Sequence, residues 1–173
     1  MVLQILKYPD PILKKKTEPI DKISKEIFTL ADDMIETMLN NDGLGLAATQ
    51  VNSPWRLFVI NASLDGGVPK PMVVINPRVI SQEGLDVHEE GCLSFPDLYL
   101  NIERPQKVRI HAKDLYNEST ILEATGLLAR AVMHEIDHLD GILFIERVAK
   151  IAHEEQNKIK KYLDTLSQNT EPS

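Results

Sequence analysis

Cysteine is nearly missing from this chain of 173 residues: Cys92 stands alone, which excludes an intrachain disulfide. No apolar run approaches the ~20 residues needed to span a bilayer. The opening stretch, MVLQILKYPDPILKKK, lacks the charged start, unbroken apolar block and small-residue cleavage site of a signal peptide, so a cytoplasmic chain is expected. Positive charge is also in deficit. Lys and Arg number 19 against 26 Asp and Glu, a net charge of -7, which argues against nucleic acid or an anionic membrane as the main partner. The basic runs Lys14-Lys15-Lys16 and Lys158-Ile159-Lys160-Lys161 read as solvated faces. Repeats, low-complexity tracts and linkers are missing too. We therefore expect one domain over residues 1–173, with residues 168–173 as a frayed tail.

Residues 1–20 are punctuated by Pro9, Pro11 and Pro19 and predict an irregular segment, anchored by Ile12 and Leu13. Over residues 23–41 apolar side chains recur at spacings of three and four. This predicts an amphipathic helix, capped by Ser24 or Asp21 and ended by Asn41-Asp42-Gly43. Residues 43–50 (GLGLAATQ) can approach another backbone closely, but without a following lysine they do not form a phosphate loop. Residues 55–61 and 72–75 predict strands, separated by a loop at Gly66, Gly67 and Pro69. A turn at Asn76-Pro77 and a short strand over residues 78–81 follow. Residues 86–90 read as extended, and Pro96 is expected to stop any regular element. Residues 107–114 and 119–124 alternate and predict a hairpin, with His111 on its polar face. Residues 147–166 predict a final amphipathic helix. This order predicts an α+β fold, mainly antiparallel sheets around a central helix, with N-terminal and C-terminal helices.

The central helix is predicted over residues 124–143, ATGLLARAVMHEIDHLDGIL. Thr125 suits an N-cap, no proline interrupts, and Asp140-Gly141 provides a stop. His134 and His138, four apart, emerge from one face, with Leu127 and Ala131 along the same side. Glu135 is rotated one step toward the stripe of Leu128, Val132 and Leu139. An unpaired carboxylate is costly there, and its proton affinity rises. The set matches the H-E-x-x-H arrangement of metal hydrolases, in which two histidines bind the ion and the glutamate takes a proton from water. The competing reading is a core-facing helix with hydrogen-bonded histidines; the placement of Glu135 favours the metal.

A hydrolytic metal takes three protein ligands and keeps one position for water. A downstream carboxylate, Glu146, Glu154 or Glu155, would make a zinc metallopeptidase. Cys92 would instead donate a thiolate, and we favour it. It sits in GCLS, where Gly91 permits a sharp turn and Ser94-Phe95-Pro96 fix the exit, a poor place for a buried space-filler. A third route makes Cys92 a nucleophile with His134 or His138 as base, but leaves the other histidine and Glu135 without a role.

Three motifs in order, residues 43–50 (GLGLAATQ), 90–94 (EGCLS) and 134–138 (HEIDH), make the chain resemble the bacterial-type peptide deformylases over essentially its whole length. The resemblance implies removal of the N-formyl group from the initiator formyl-methionine of nascent polypeptides, releasing formate. It implies Cys92, His134 and His138 as ligands of one divalent ion, natively Fe2+, with Zn2+ or Ni2+ in preparations. Glu135 would be general base and acid, with the Gln50 amide and the Leu93 backbone N–H as oxyanion donors. The peptide would lie along Gly43, Gly45 and Gly91 like an added strand. Its methionine would enter a pocket of Leu44, Leu127 and Ala131, and its exit path would pass Arg104. Thr49, Met133, Arg130 and His88 depart from commoner family residues. Arg130 and His88 are expected at the pocket rim, where Arg130 would favour acidic or polar second residues. The implied partners are formyl-methionyl N-termini and, transiently, the ribosome. No direct nucleic-acid specificity, no membrane contact and a monomer are expected.

Overall fold

The computed structural model describes residues 1–63, 67–149 and 152–170. After a start that is irregular except for a 3-10 turn over Pro11–Lys14, helix α1 spans Lys25–Asn40, with Ser24 at its N-cap position. There follow β1 (Gly45–Ala47), β2 (Leu57–Asn61), β3 (Pro71–Glu83), β4 (Asp86–Cys92), β5 (Phe95–Arg104), β6 (Lys107–Lys113) and β7 (Ser119–Thr125). Helix α2 (Gly126–Leu139) and helix α3 (His153–Thr170) complete the order. The first sheet has the order β1-β2-β3-β6-β7, and β4 pairs with β5 in a second; the named strands all pair antiparallel. The α+β architecture around a central helix is the expected one.

Strand β2 shows why helices cover both faces of the larger sheet. Side chains alternate along a strand, yet Leu57, Phe58, Val59 and Ile60 are all buried. Leu57 and Val59 join Ile27, Met34 and Met38 of α1, whereas Phe58 and Ile60 join Val132, Met133 and Ile136 of α2. Each such side chain contributes about 1.5–3 kcal/mol by leaving water. A third apolar cluster joins Phe95, Leu98, Leu100 and Ile102 of β5 to Leu13, Phe144 and Ile159, so α3 covers the small sheet.

The irregular start is tied down by backbone bonds. Thr17 donates from both its N–H and its hydroxyl to the Leu139 carbonyl, each at 2.8 Å, occupying an acceptor that the end of α2 leaves open. The Asn76 side chain pairs with the N–H and the carbonyl of Ile20, both at 2.8 Å. Gly141, in the predicted stop of α2, has φ +73°, and a Cβ there would sit 2.4 Å from the Lys14 carbonyl oxygen. Both the conformation and the close approach require glycine.

Several expectations need correction. Pro96 does not stop regular structure but lies in β5. Cys92 pairs with Phe95 and Gly91 with Tyr99, so residues 96–98 bulge out of the ladder, where a proline lacking N–H is tolerated. Asn76-Pro77 is likewise a bulge within one long β3 rather than a turn, with Asn76 at φ 52°. Helix α2 begins at Gly126, because Thr125 still pairs with Lys107 in the sheet, and it ends at Leu139. The final helix starts at His153, after a short 3-10 turn over Phe144–Arg147, and continues through Thr170, past the expected start of fraying. Residues 171–173 and Gly66 of the predicted loop lie outside the described residues.

The small sheet is fastened to α2 by buried charge. The Arg104 Nε and Nη2 donate to the two oxygens of Glu90 at 2.7 and 3.0 Å, and Nη1 donates to Asp137 Oδ2 at 2.7 Å. Arg130 Nη1 donates to Glu90 and to the Ile102 carbonyl at 2.6 and 2.7 Å, while its Nη2 reaches the Asp86 carbonyl at 2.8 Å. Arg147 completes the network with two bonds to Asp137 at 2.9 and 2.7 Å. Arg104 is 3% exposed, so it is a buried clamp and not a guide for the peptide's exit. Burial alone would raise the proton affinity of Glu90. The hydrogen bonds from His134 and Arg104 outweigh it and lower the pKa from 4.5 to about 2. Its contribution to stability is therefore present above pH 4.5 and lost as pH falls toward about 2. We predict that Glu90→Gln costs ~3 kcal/mol in urea unfolding at neutral pH, with the loss of stability between pH 4.5 and 2 becoming shallower.

Candidate metal centre and active site

Helix α2 brings two imidazoles together as their spacing predicts, with Nε2 of His134 and Nε2 of His138 3.2 Å apart. The end of β4 brings Cys92 Sγ to 3.3 Å from His138 Nε2, and all three ligand atoms lie within 4.8 Å of one another. Tetrahedral ligation, at about 2.1 Å from nitrogen and 2.3 Å from sulfur, places donors about 3.3–3.6 Å apart. The cluster thus fits one transition-metal ion, and a thiolate with two imidazoles suits iron or zinc. His134 Nδ1 donates to Glu90 Oε1 at 2.8 Å, which fixes the tautomer whose Nε2 lone pair faces the cluster. Thr49 donates its hydroxyl to the His138 carbonyl at 3.3 Å. Two imidazoles this close do not both hold a proton. Before an ion binds, burial resists charge on each; contacts with Cys92 and Glu90 nevertheless raise the pKa of His134 to about 10, so an ion would displace a proton from its Nε2, whereas burial and the charge of His134 drive His138 well below 6.5.

Glu135 is 4% exposed, and its Oε2 has no hydrogen-bond partner among the described residues. Burial raises its pKa from 4.5 to about 7; His134 and Arg104 oppose that rise, and Glu90 and Asp137 add to it. The carboxylate lies against β1, where a Cβ on Gly45 would stand 2.9 Å from both Cγ and Oε1 of Glu135. Close approach, not backbone conformation, demands glycine here.

Both ends of the buried Gln50 amide are engaged. Its Oε1 accepts from the Ala47 N–H at 3.0 Å; its Nε2 donates to Ser94 Oγ at 3.0 Å and faces Cys92 Sγ at 3.8 Å. Leu93 sits in the turn between β4 and β5, and no hydrogen bond engages its N–H among the described residues.

A groove of about 540 Å³ opens onto these groups. Gly43, Leu44, Gly45, Gly91, Leu127 and Ala131 all line it, together with Gln50, Cys92, Leu93, His134 and Glu135. Arg104 and His88 do not. His88 is exposed beside Asp86, with Nε2 and Oδ2 2.8 Å apart, so it is not a rim residue. Arg130 borders the groove, but its guanidinium is bound to Glu90 and two carbonyls, leaving the expected preference for acidic second residues without a free charge. The downstream carboxylates stand apart from the ligand cluster. Glu146 accepts from Lys14 and from the Leu143 N–H, and Glu155 accepts from the Asn101 N–H. The sequence alone points to no role for Glu90, Asp137, Arg147 or Lys7, and for Ser94 only to the exit from the Cys92 turn. A signal existed for Glu90 alone: two residues before Cys92 on an extended strand, it faces the same side.

Comparison with known proteins agrees with this geometry. The polypeptide deformylase family model matches residues 2–154. A peptide deformylase of Rhizobium meliloti is 45% identical over 144 residues, covering 83% of each chain. The structure of the Thermus thermophilus peptide deformylase is 40% identical with a TM-score of 0.83, covering 95% of this chain and 93% of that one. A peptide deformylase of Arabidopsis thaliana is 36% identical with a TM-score of 0.89, covering 96% of this chain and 91% of that one. A likeness that runs through both sheets and the helix carrying the ligands makes this chain a member of the peptide deformylase family.

Proposed function

We propose that the chain hydrolyses the N-formyl group of formyl-methionyl polypeptides, with Glu135 moving the protons and Gln50 and Leu93 stabilising the charge on the formyl oxygen. The observation that carries this reading is the buried, unpaired carboxylate oxygen of Glu135 beside three converging ligand atoms. A divalent ion held by Cys92, His134 and His138 supplies Lewis acidity toward water and the formyl carbonyl; we assign Fe2+ in the cell, with Zn2+ or Ni2+ in preparations. Glu135 accepts a proton from the attacking water and passes it to the amine that departs as the C–N bond breaks. The Gln50 Nε2 and the Leu93 N–H donate to the formyl oxygen as it gains negative charge. A neutral amide suits the task, because it does not hold the product formate as an ion pair.

The peptide is assigned to the groove. β1 is the edge of the larger sheet, and the absence of side chains at Gly43, Gly45 and Gly91 leaves room for an added strand. Leu44 and Leu127 are 41% and 47% exposed and, with Ala131, offer apolar surface to the methionine side chain. We assign residues 1–173 to one catalytic domain acting as a cytoplasmic monomer, near the ribosome while chains emerge, without nucleic-acid or membrane contact. The net charge of -7 supports this, and no helix among the described residues is long and apolar enough to cross a membrane.

Metal analysis of anaerobically purified variants tests the assignments. Cys92→Ala is expected to lose the ion. Glu135→Ala is expected to keep it while turnover of formyl-methionyl peptides falls at least ~100-fold. Full turnover by Glu135→Ala would contradict the mechanism. Gly45→Ala should lower kcat at least ~10-fold with metal retained, since the added methyl group displaces the carboxylate; an unchanged kcat would remove that argument. Because burial holds the Glu135 carboxylate above its ordinary value of 4.5, kcat/KM should fall on the acid side as it takes up a proton, and the residual activity of Glu135→Gln should lack this fall.

A further inference from the structure

The segment at residues 6–8 is bonded to both residues assigned above as oxyanion donors. Leu6 donates its N–H to the Gln50 carbonyl at 2.7 Å, and Tyr8 donates its N–H to the Ser94 carbonyl at 2.8 Å. Between them, Lys7 Nζ donates to the Leu93 carbonyl at 2.9 Å. The Tyr8 ring stacks on Phe95 with centroids 4.8 Å apart, which anchors the segment against β5. Gln50 follows β1, an edge of the larger sheet, whereas Leu93 lies in the turn of the smaller one. Among the described residues no strand pairing joins the two sheets.

We propose that residues 6–8 form a brace that sets the spacing of the two donors, and that Lys7 is a positioning residue for deformylation. The proposal rests on the reading of Gln50 and Leu93 as donors. In the turn, the Leu93 carbonyl has no ladder partner among the described residues. Fixing that carbonyl from one side while Cys92 is held at the cluster from the other limits rotation about Leu93, and so aims its N–H. Oxyanion donors act only when they lie about 2.7–3.1 Å from the place where charge develops, so a small displacement weakens the transition state more than the bound substrate. Lys7 also lines the groove, so a direct contact with the peptide is the rival role.

Lys7→Met and Lys7→Arg, loaded with metal, are assayed with a formyl-methionyl tripeptide in low salt and in about 0.5 M salt. Metal content and thermal stability are measured alongside. Lys7→Met is expected to lose kcat about tenfold, with KM changing less than about twofold and with metal and Tm retained. The deficit persists in high salt, and Lys7→Arg recovers most of it. An unchanged kcat would overturn the proposal, as would a rise in KM alone, which marks a peptide contact. A deficit erased by salt marks a field effect, and a deficit explained by lost metal or lowered Tm marks a general structural role; either also overturns it. Gln50→Ala tests the underlying reading separately. A loss of about 100-fold in kcat upholds the donor assignment, whereas near wild-type kcat removes that assignment and the brace with it.

Discussion

Glu90 accepts hydrogen bonds from His134, Arg104 and Arg130 while only 7% exposed, and the small sheet, the central helix and the ligand cluster all meet at its carboxylate. An isolated carboxylate in that position would be expelled or protonated. The hydrogen bonds from His134 and Arg104 hold it ionised, and the ionised form in turn orients the imidazole of His134. Arg104 extends the constraint to Asp137, and Arg147 binds the same carboxylate from the chain that leaves α2. The net stabilisation from such a buried network is modest, since desolvation offsets much of the attraction. Its larger effect is to allow one relative placement of β4 and α2. That placement brings a sulfur from one element within bonding reach of an ion held by two nitrogens of the other.

The chemistry at the cluster follows from which groups are paired and which are not. His134 and Gln50 are engaged at both ends and Arg130 through both Nη1 and Nη2, so their orientation is fixed before any substrate arrives. Glu135 keeps one buried oxygen unpaired and a proton affinity near neutrality, the property a group needs to take and return a proton. A thiolate gives more charge to the ion than an imidazole would, softening its Lewis acidity. The formyl group is small and relatively electrophilic, so the weaker acid suffices. The same donor is open to oxidation, as Cys92 is only partly buried.

The parts of this arrangement readable from sequence were those in which local spacing carries the information. His134 and His138 four apart on a helix must share a face, and the apolar neighbours of Glu135 foretold its burial. Strand β2, buried on both faces, and the hairpin of β6 and β7 were legible for the same reason. Pro96 argues locally against a strand over residues 95–104. The bulge that accommodates it depends on the register with β4. The placement of Arg104 and Arg130 also escaped local reasoning. Their partners lie 14, 33 and 40 residues away, and nothing near either arginine distinguishes a buried clamp from a solvated charge. Lys7 is a still longer case, meeting a carbonyl 86 residues away.

X-ray absorption at the metal edge of anaerobically purified protein tests the central claim most directly, because it reads the donor atoms themselves. One sulfur at about 2.3 Å, two imidazole nitrogens at about 2.1 Å and one further light atom that exchanges with added small ligands are expected. A coordination shell without sulfur, or one closed by four protein donors with nothing exchangeable, would contradict that claim.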